Sequence, residues 1–125
     1  MTKNGYIAAF LWAIVLINTT ATYAIDIEIE SGITFDVDTC TLEIDGNIRN
    51  NGILQLSSGT INLGGNWLNS GNFISGEGVV TLNSSSSAQT VTTGGESSAF
   101  KILTITNSHS SGVTFADALH CETLN

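Results

Sequence analysis

Beyond residue 25 the chain alternates. "TLEI" (residues 41–44), "ILQL" (53–56), "TINL" (60–63) and "VVTL" (79–82) place aliphatic or β-branched side chains at every second position. That is the period of a strand with one buried face. Between these runs stand "DG", "NNG", "SSG", "GGN" and "NSG". They are turn sequences, because Gly and Asn tolerate the left-handed backbone region. No stretch after residue 25 holds a helical period for three turns. The pattern predicts an all-β chain.

The alternation also repeats. "CTLEIDGNIRNNGIL", from Cys40, and "GTINLGGNWLNSGNF", from Gly59, superpose at a shift of 19 positions. Gly46 falls on Gly65, Asn47 on Asn66, Asn50 on Asn69 and Gly52 on Gly71. Further on, Gly59 falls on Gly78, Ile61 on Val80 and Leu63 on Leu82. A β-sandwich is the alternative, since it too has short strands at regular spacing. A sandwich has no reason to keep the same turn residue at a fixed interval, whereas a parallel solenoid does. Equivalent residues of a solenoid lie about 4.8 Å apart, one above another. Asn can then stack on Asn and bond the next coil. The pairs Asn47/Asn66 and Asn50/Asn69 are the expected ladders, and Gly46/Gly65 and Gly52/Gly71 the expected corners. Leu42, Ile44, Ile48, Leu54, Leu56, Ile61, Leu63, Trp67, Phe73, Val80 and Leu82 are the expected core. The length beyond residue 24 then corresponds to about five coils, a stub about 20–25 Å tall.

The period slips between Asn83 and Ser98. "NSSSSAQTVTTGGESS" is longer than one turn uses and reads as an excursion around one short strand, 89–92. The end, "LHCETLN" (119–125), is strand-like and shows no polar cap. A solenoid normally hides its last edge, so the chain reads as the front of a longer protein.

The first 24 residues have a different layout. Lys3 precedes an apolar run from Tyr6 to Ile17, and small residues close the segment at Thr22 and Ala24. This is the arrangement of a secretory signal peptide, and the run is short of the roughly 20 residues of a spanning helix. The expected division is therefore a signal peptide at 1–24, an acidic strand or cap at 25–39, and β-helix repeats over 40–125. The remainder carries two cations, Arg49 and Lys101, against all eleven carboxylates of the chain. Such a surface repels nucleic acid and anionic lipid, so neither is an expected partner. Membrane association is expected only through export or a C-terminal anchor.

Export makes a disulfide chemically available to Cys40 and Cys121. About four coils separate them, close to 20 Å at ~4.8 Å per coil, while a disulfide needs Cα atoms within about 7 Å. The solenoid therefore predicts two free thiols.

Seven of the eleven carboxylates precede residue 46. Asp26, Glu28, Glu30, Asp36 and Asp38 are weak candidates for Ca²⁺, a hard cation with oxygen ligands. No calcium-loop spacing appears, and a solvated acidic face that blunts the first edge strand accounts for them better. Trp67 is a candidate sugar platform, but it takes the register position of Ile48 and belongs rather to the core. His109, His120 and Cys121 lack zinc spacing; Cys121 is expected to point inward. No nucleophile motif or phosphate loop is present, and no cofactor is implied. Asn83-Ser84-Ser85 fits a glycosylation sequon.

"LEIDGNIRNNGILQLSSGTINLGGNWLNSGNF" resembles the repeats of secreted bacterial right-handed parallel β-helices of the filamentous-haemagglutinin and autotransporter-passenger type. "VVTLNSSSSAQTVTT" and "FKILTITNSHSSGVTF" are similar to the segments that follow in such proteins. The resemblance covers residues 40–124. It implies a non-enzymatic, exported structural or adhesive module, secreted or at the cell surface. A host or matrix glycan or protein would be its partner, and self-association through an open solenoid edge is a further expectation. The alternative is the front of a β-helical polysaccharide-degrading enzyme, although the chain supplies few cations for polyuronates. An ice- or carbohydrate-binding face built of Thr and Asn ladders would require a regular outward Thr array, which Thr104 and Thr106 alone do not make.

Overall fold

A computed structural model describes residues 24–125. The expected signal peptide, residues 1–24, lies outside the described residues except for Ala24. The described chain is a parallel β-solenoid of about five coils with three sheet faces. The first face is formed by β1 (Ile27–Ile29), β4 (Ile48–Asn50), β7 (Trp67–Asn69), β10 (Gln89–Thr92) and β12 (Val113–Phe115). The second is formed by β2 (Thr34–Asp36), β5 (Ile53–Gln55) and β8 (Asn72–Ile74). The third holds β3 (Thr41–Ile44), β6 (Thr60–Leu63), β9 (Val79–Leu82), β11 (Phe100–Ile105) and β13 (Cys121–Leu124). Every strand pairing is parallel, so each coil lies directly on the one before it.

The repeat read from the sequence is the physical stack. Thr41 pairs with Thr60 and Thr60 with Val79; Ile48 pairs with Trp67; Ile53 pairs with Asn72. The strands expected at 41–44, 60–63, 79–82 and 89–92 form with those limits. The acidic segment 25–39 supplies β1 and β2, two sides of the first coil. After β9 the interval widens: Trp67 pairs with Val91, and Val79 with Ile102. The excursion leads into β10, and a one-turn 3-10 helix, Glu96–Ser98, stands where a strand of the second face would be. The Ser98 hydroxyl there accepts a hydrogen bond from the Phe73 N–H of β8, 3.2 Å away. The upper edge of the second face is thereby closed by a side chain rather than by another strand.

Inward positions make one continuous core. Ile44, Ile48, Leu54, Leu56, Ile61, Leu63, Trp67, Phe73, Val80 and Leu82 are all buried. Leu42 differs from the expectation: it is only half-buried, packed against the core from β3, the edge strand of the third face. Three aromatic rings fill the middle. Trp67 meets Phe73 edge-on with centroids 4.8 Å apart, and both contact Phe100, at 5.1 and 5.3 Å. Such geometries add to the burial of the rings themselves.

Both cysteines are free thiols. Cys121 opens β13 and half-buries against the core, while Cys40 is exposed just before β3. They stand at opposite ends of the same sheet, as the solenoid requires.

Candidate functional site

The corner glycines act differently from the sequence expectation. None of Gly46, Gly52, Gly65 and Gly71 has a positive φ. A Cβ on Gly65 would strike the carbonyl oxygen of Gly46 in the coil below, and one on Gly71 that of Gly52. Close approach between coils, not left-handed geometry, excludes a side chain there. The left-handed corner lies elsewhere, at Asp38, Ser57 and Gly76, which recur at the same repeat position with φ of 56, 54 and 54°.

The two asparagine positions also differ from each other. Asn50 and Asn69 lie inside the coil and are fully buried. The Asn50 amide donates to Asn69 Oδ1 at 2.8 Å and to the Asn72 carbonyl at 2.9 Å, and its Oδ1 accepts from the Gly52 N–H. Asn69 Nδ2 donates to the Thr93 carbonyl at 2.8 Å. The column then changes polarity. The Asp117 carboxylate accepts from the N–H groups of Thr93 and Gly94 at 2.8 and 3.0 Å. The Thr93 hydrogen bond, ahead of the Gly94 one, holds the Asp117 carboxyl below its ordinary range.

Asn47 and Asn66 pass their column upward through their oxygens, while Asn47 Nδ2 also donates to Asp26 Oδ1 at 3.1 Å. Asp26 Oδ1 accepts the Asn47 N–H at 2.6 Å, Asn47 Oδ1 the Asn66 N–H at 2.8 Å, and Asn66 Oδ1 the Thr90 N–H at 2.7 Å. Each side chain thus accepts a backbone amide beside the start of the first-face strand one coil higher.

Gln89 is a buried hub with no counterpart in the repeat. Its Nε2 donates to the carbonyls of Leu63 and Gly65 at 2.8 and 2.6 Å, and its Oε1 accepts from Ser84 N–H and Asn107 Nδ2 at 3.1 and 2.9 Å. It ties the serine-rich excursion to two coils. Gln89 was missed at the level of sequence; alternation along β10, which puts it on the same side as Val91, is the one signal that could have found it.

The calcium candidates do not converge. Among the described residues no group of three or more His, Cys, Asp or Glu side chains is arranged to hold a metal. Asp26 is occupied by Asn47. Asp36 accepts from the Asp38 N–H and from Gln55 Nε2. Glu28 lies on the first face opposite Arg49. Glu30 and Asp38 are exposed at turns.

The outward faces carry the remaining chemistry. On the third face one row reads Thr41, Thr60, Val79, Ile102, Thr123, and the next Glu43, Asn62, Thr81, Thr104. Threonine is frequent there, yet Val79, Ile102 and Glu43 interrupt a uniform array. At one margin of that face Lys101 bridges Glu122 at 2.7 Å and Glu77 at 3.5 Å, and the Glu122 contact raises the lysine pKa.

On the first face the outward row is Glu28, Arg49, Leu68, Thr92. With Asn51 and Ser70 from the neighbouring corner it lines a groove of about 330 Å³. Both ion pairs among the described residues belong to Lys101, so the Arg49 guanidinium stands in this groove without one. Comparison with protein-family models, curated sequences and solved structures yields no match to this chain.

Proposed function

We propose that the chain is a non-catalytic, exported module from the N-terminal part of a larger bacterial cell-surface β-helix protein, and that it presents a lateral binding surface. One observation carries this reading: successive coils bring outward polar side chains into straight rows over a filled interior. The stack sets row spacing at about 4.8 Å by backbone pairing alone, so the faces are rigid and extend with each added coil. Backbone hydrogen bonding and the ladders supply the rigidity, which leaves the outward positions free to specify a ligand. The chemistry of those faces, rich in Thr, Asn and Ser and sparse in cations, suits a surface glycan or a polar protein partner better than a polyanion.

The test is adherence. The full chain displayed on beads should bind glycan-coated or matrix-coated surfaces above a β-solenoid of unrelated outward sequence. Binding no better than that control would overturn the reading. Release of new sugar reducing ends from a soluble polysaccharide would replace it with the enzymatic alternative.

A further inference from the structure

The groove on the first face combines complementary groups in a small space. Glu28, Arg49, Leu68 and Thr92 follow one another on four consecutive parallel strands, and Asn51 and Ser70 flank the middle two. The row runs along the stack axis, crossing the strands at about 4.8 Å per step. Glu28 offers acceptors only, Arg49 offers five donors, Asn51 both kinds, and Ser70 and Thr92 a hydroxyl each. Leu68, half-buried between them, forms an apolar step in the middle of the row.

One negative and one positive charge balance within the groove. A polyanion would meet Glu28 and the overall charge of −8, and a polycation would meet Arg49. A neutral chain of sugar rings fits both features: hydroxyl rims for the charged and amide groups, and C–H faces for Leu68. Resting on the adhesive reading above, we propose that this groove binds a neutral glycan laid along the solenoid axis, with Arg49 and Asn51 donating, Glu28 accepting and Leu68 contacting a ring face.

The test is a titration of the isotope-labelled full chain with cellohexaose and, separately, with hexagalacturonate, following backbone amides. Cellohexaose should shift the amides of Arg49, Leu68, Ser70 and Thr92 saturably and with little salt dependence. Arg49→Gln and Leu68→Ser should each weaken it roughly tenfold; Arg49 is exposed, so its variant should keep the parent melting temperature. Shifts confined to other faces, binding of hexagalacturonate alone with loss in salt, or unaltered affinity in Arg49→Gln would each overturn the inference. The bead assay separates this from the broader reading. Adherence that survives in the double variant removes the groove and keeps the module adhesive, whereas a parent chain that never adheres removes the adhesive reading itself.

Discussion

The side-chain amide of Asn50 donates to Oδ1 of Asn69, 19 residues away and one coil higher, at 2.8 Å inside a buried column. Neither group meets water, so the bond has no solvent substitute. Replacing Asn69 by Ala would leave the Thr93 carbonyl without its donor and Asn50 with one partner fewer. Leaving a buried polar group unpaired costs about 1–3 kcal/mol. Asn69→Ala should therefore lose about 2–4 kcal/mol in urea unfolding, and an Asn50/Asn69 double-mutant cycle should show a coupling of about 1 kcal/mol or more. Additive effects would mean that the ladder is incidental.

Glycines of two kinds should respond differently to Ala. Gly65 faces the Gly46 carbonyl of the coil below, and backbone cannot yield. Gly112 has φ +59° with open space around it. Gly112→Ala should cost about 1–2 kcal/mol, the ordinary penalty of left-handed backbone. Gly65→Ala should cost more than that or prevent folding, as seen by circular dichroism and melting temperature. Equal costs at both sites would refute the close-approach account.

Trp67 is buried, and its Nε1 has no acceptor. Trp67→Phe removes that orphan donor, worth about 1–3 kcal/mol, while shrinking the ring. The two effects oppose, so the net change should stay within about 1 kcal/mol. Trp67→Ala, which removes the contacts with Phe73 and Phe100, should cost about 3–5 kcal/mol. In a Trp12→Phe background, Trp67 emission should be blue and resistant to acrylamide. Red, readily quenched emission would put the indole outside the core.

Asp117 gives the fold an acid-sensitive step. Its folded pKa is depressed by the Thr93 and Gly94 amides. The stability it contributes is present above the unfolded carboxyl value, about pH 4, and is lost as pH falls through the lower folded value. Asp117→Asn should be less stable than the parent at neutral pH, and the difference should shrink below about pH 4. A gap that holds constant down to strong acid would place the effect outside the carboxylate.

The stacking itself was legible from residues 40–82, because every coil there has the same length and parallel pairing repeats each demand at a fixed interval. Alternation set β3, β6 and β9 of the third face to the residue, since four-residue runs with two inward aliphatics carry a clear period. The three-residue strands β4 and β7 were less visible, for "IRN" and "WLN" put an inward Asn where alternation expects a hydrophobe. That Asn is tolerable only because the coils on either side supply its partners.

Sequence alone determined that the chain is all-β, that equivalent residues stack, which aliphatics and aromatics of residues 44–82 fill the interior, and that Cys40 and Cys121 stay apart. All of these follow from the period and the strand spacing. Ile29, Val37, Val91, Phe100 and Leu103 complete the core outside that span. Only the tertiary structure decided which atom of each Asn is used, why the corner glycines exclude a Cβ, and how Gln89 and Asp117 take over the ladders once the period breaks. It also set Glu28, Arg49, Leu68 and Thr92 in a single row. The Gln89, Asp117 and first-face relations join residues 19 to 26 positions apart across coils of unequal length, and an interval that varies leaves no fixed pattern in the sequence to read. The asparagines and corner glycines do keep the 19-residue interval, but which atom bonds and how closely two backbones approach are set by the stacking of the coils, not by spacing.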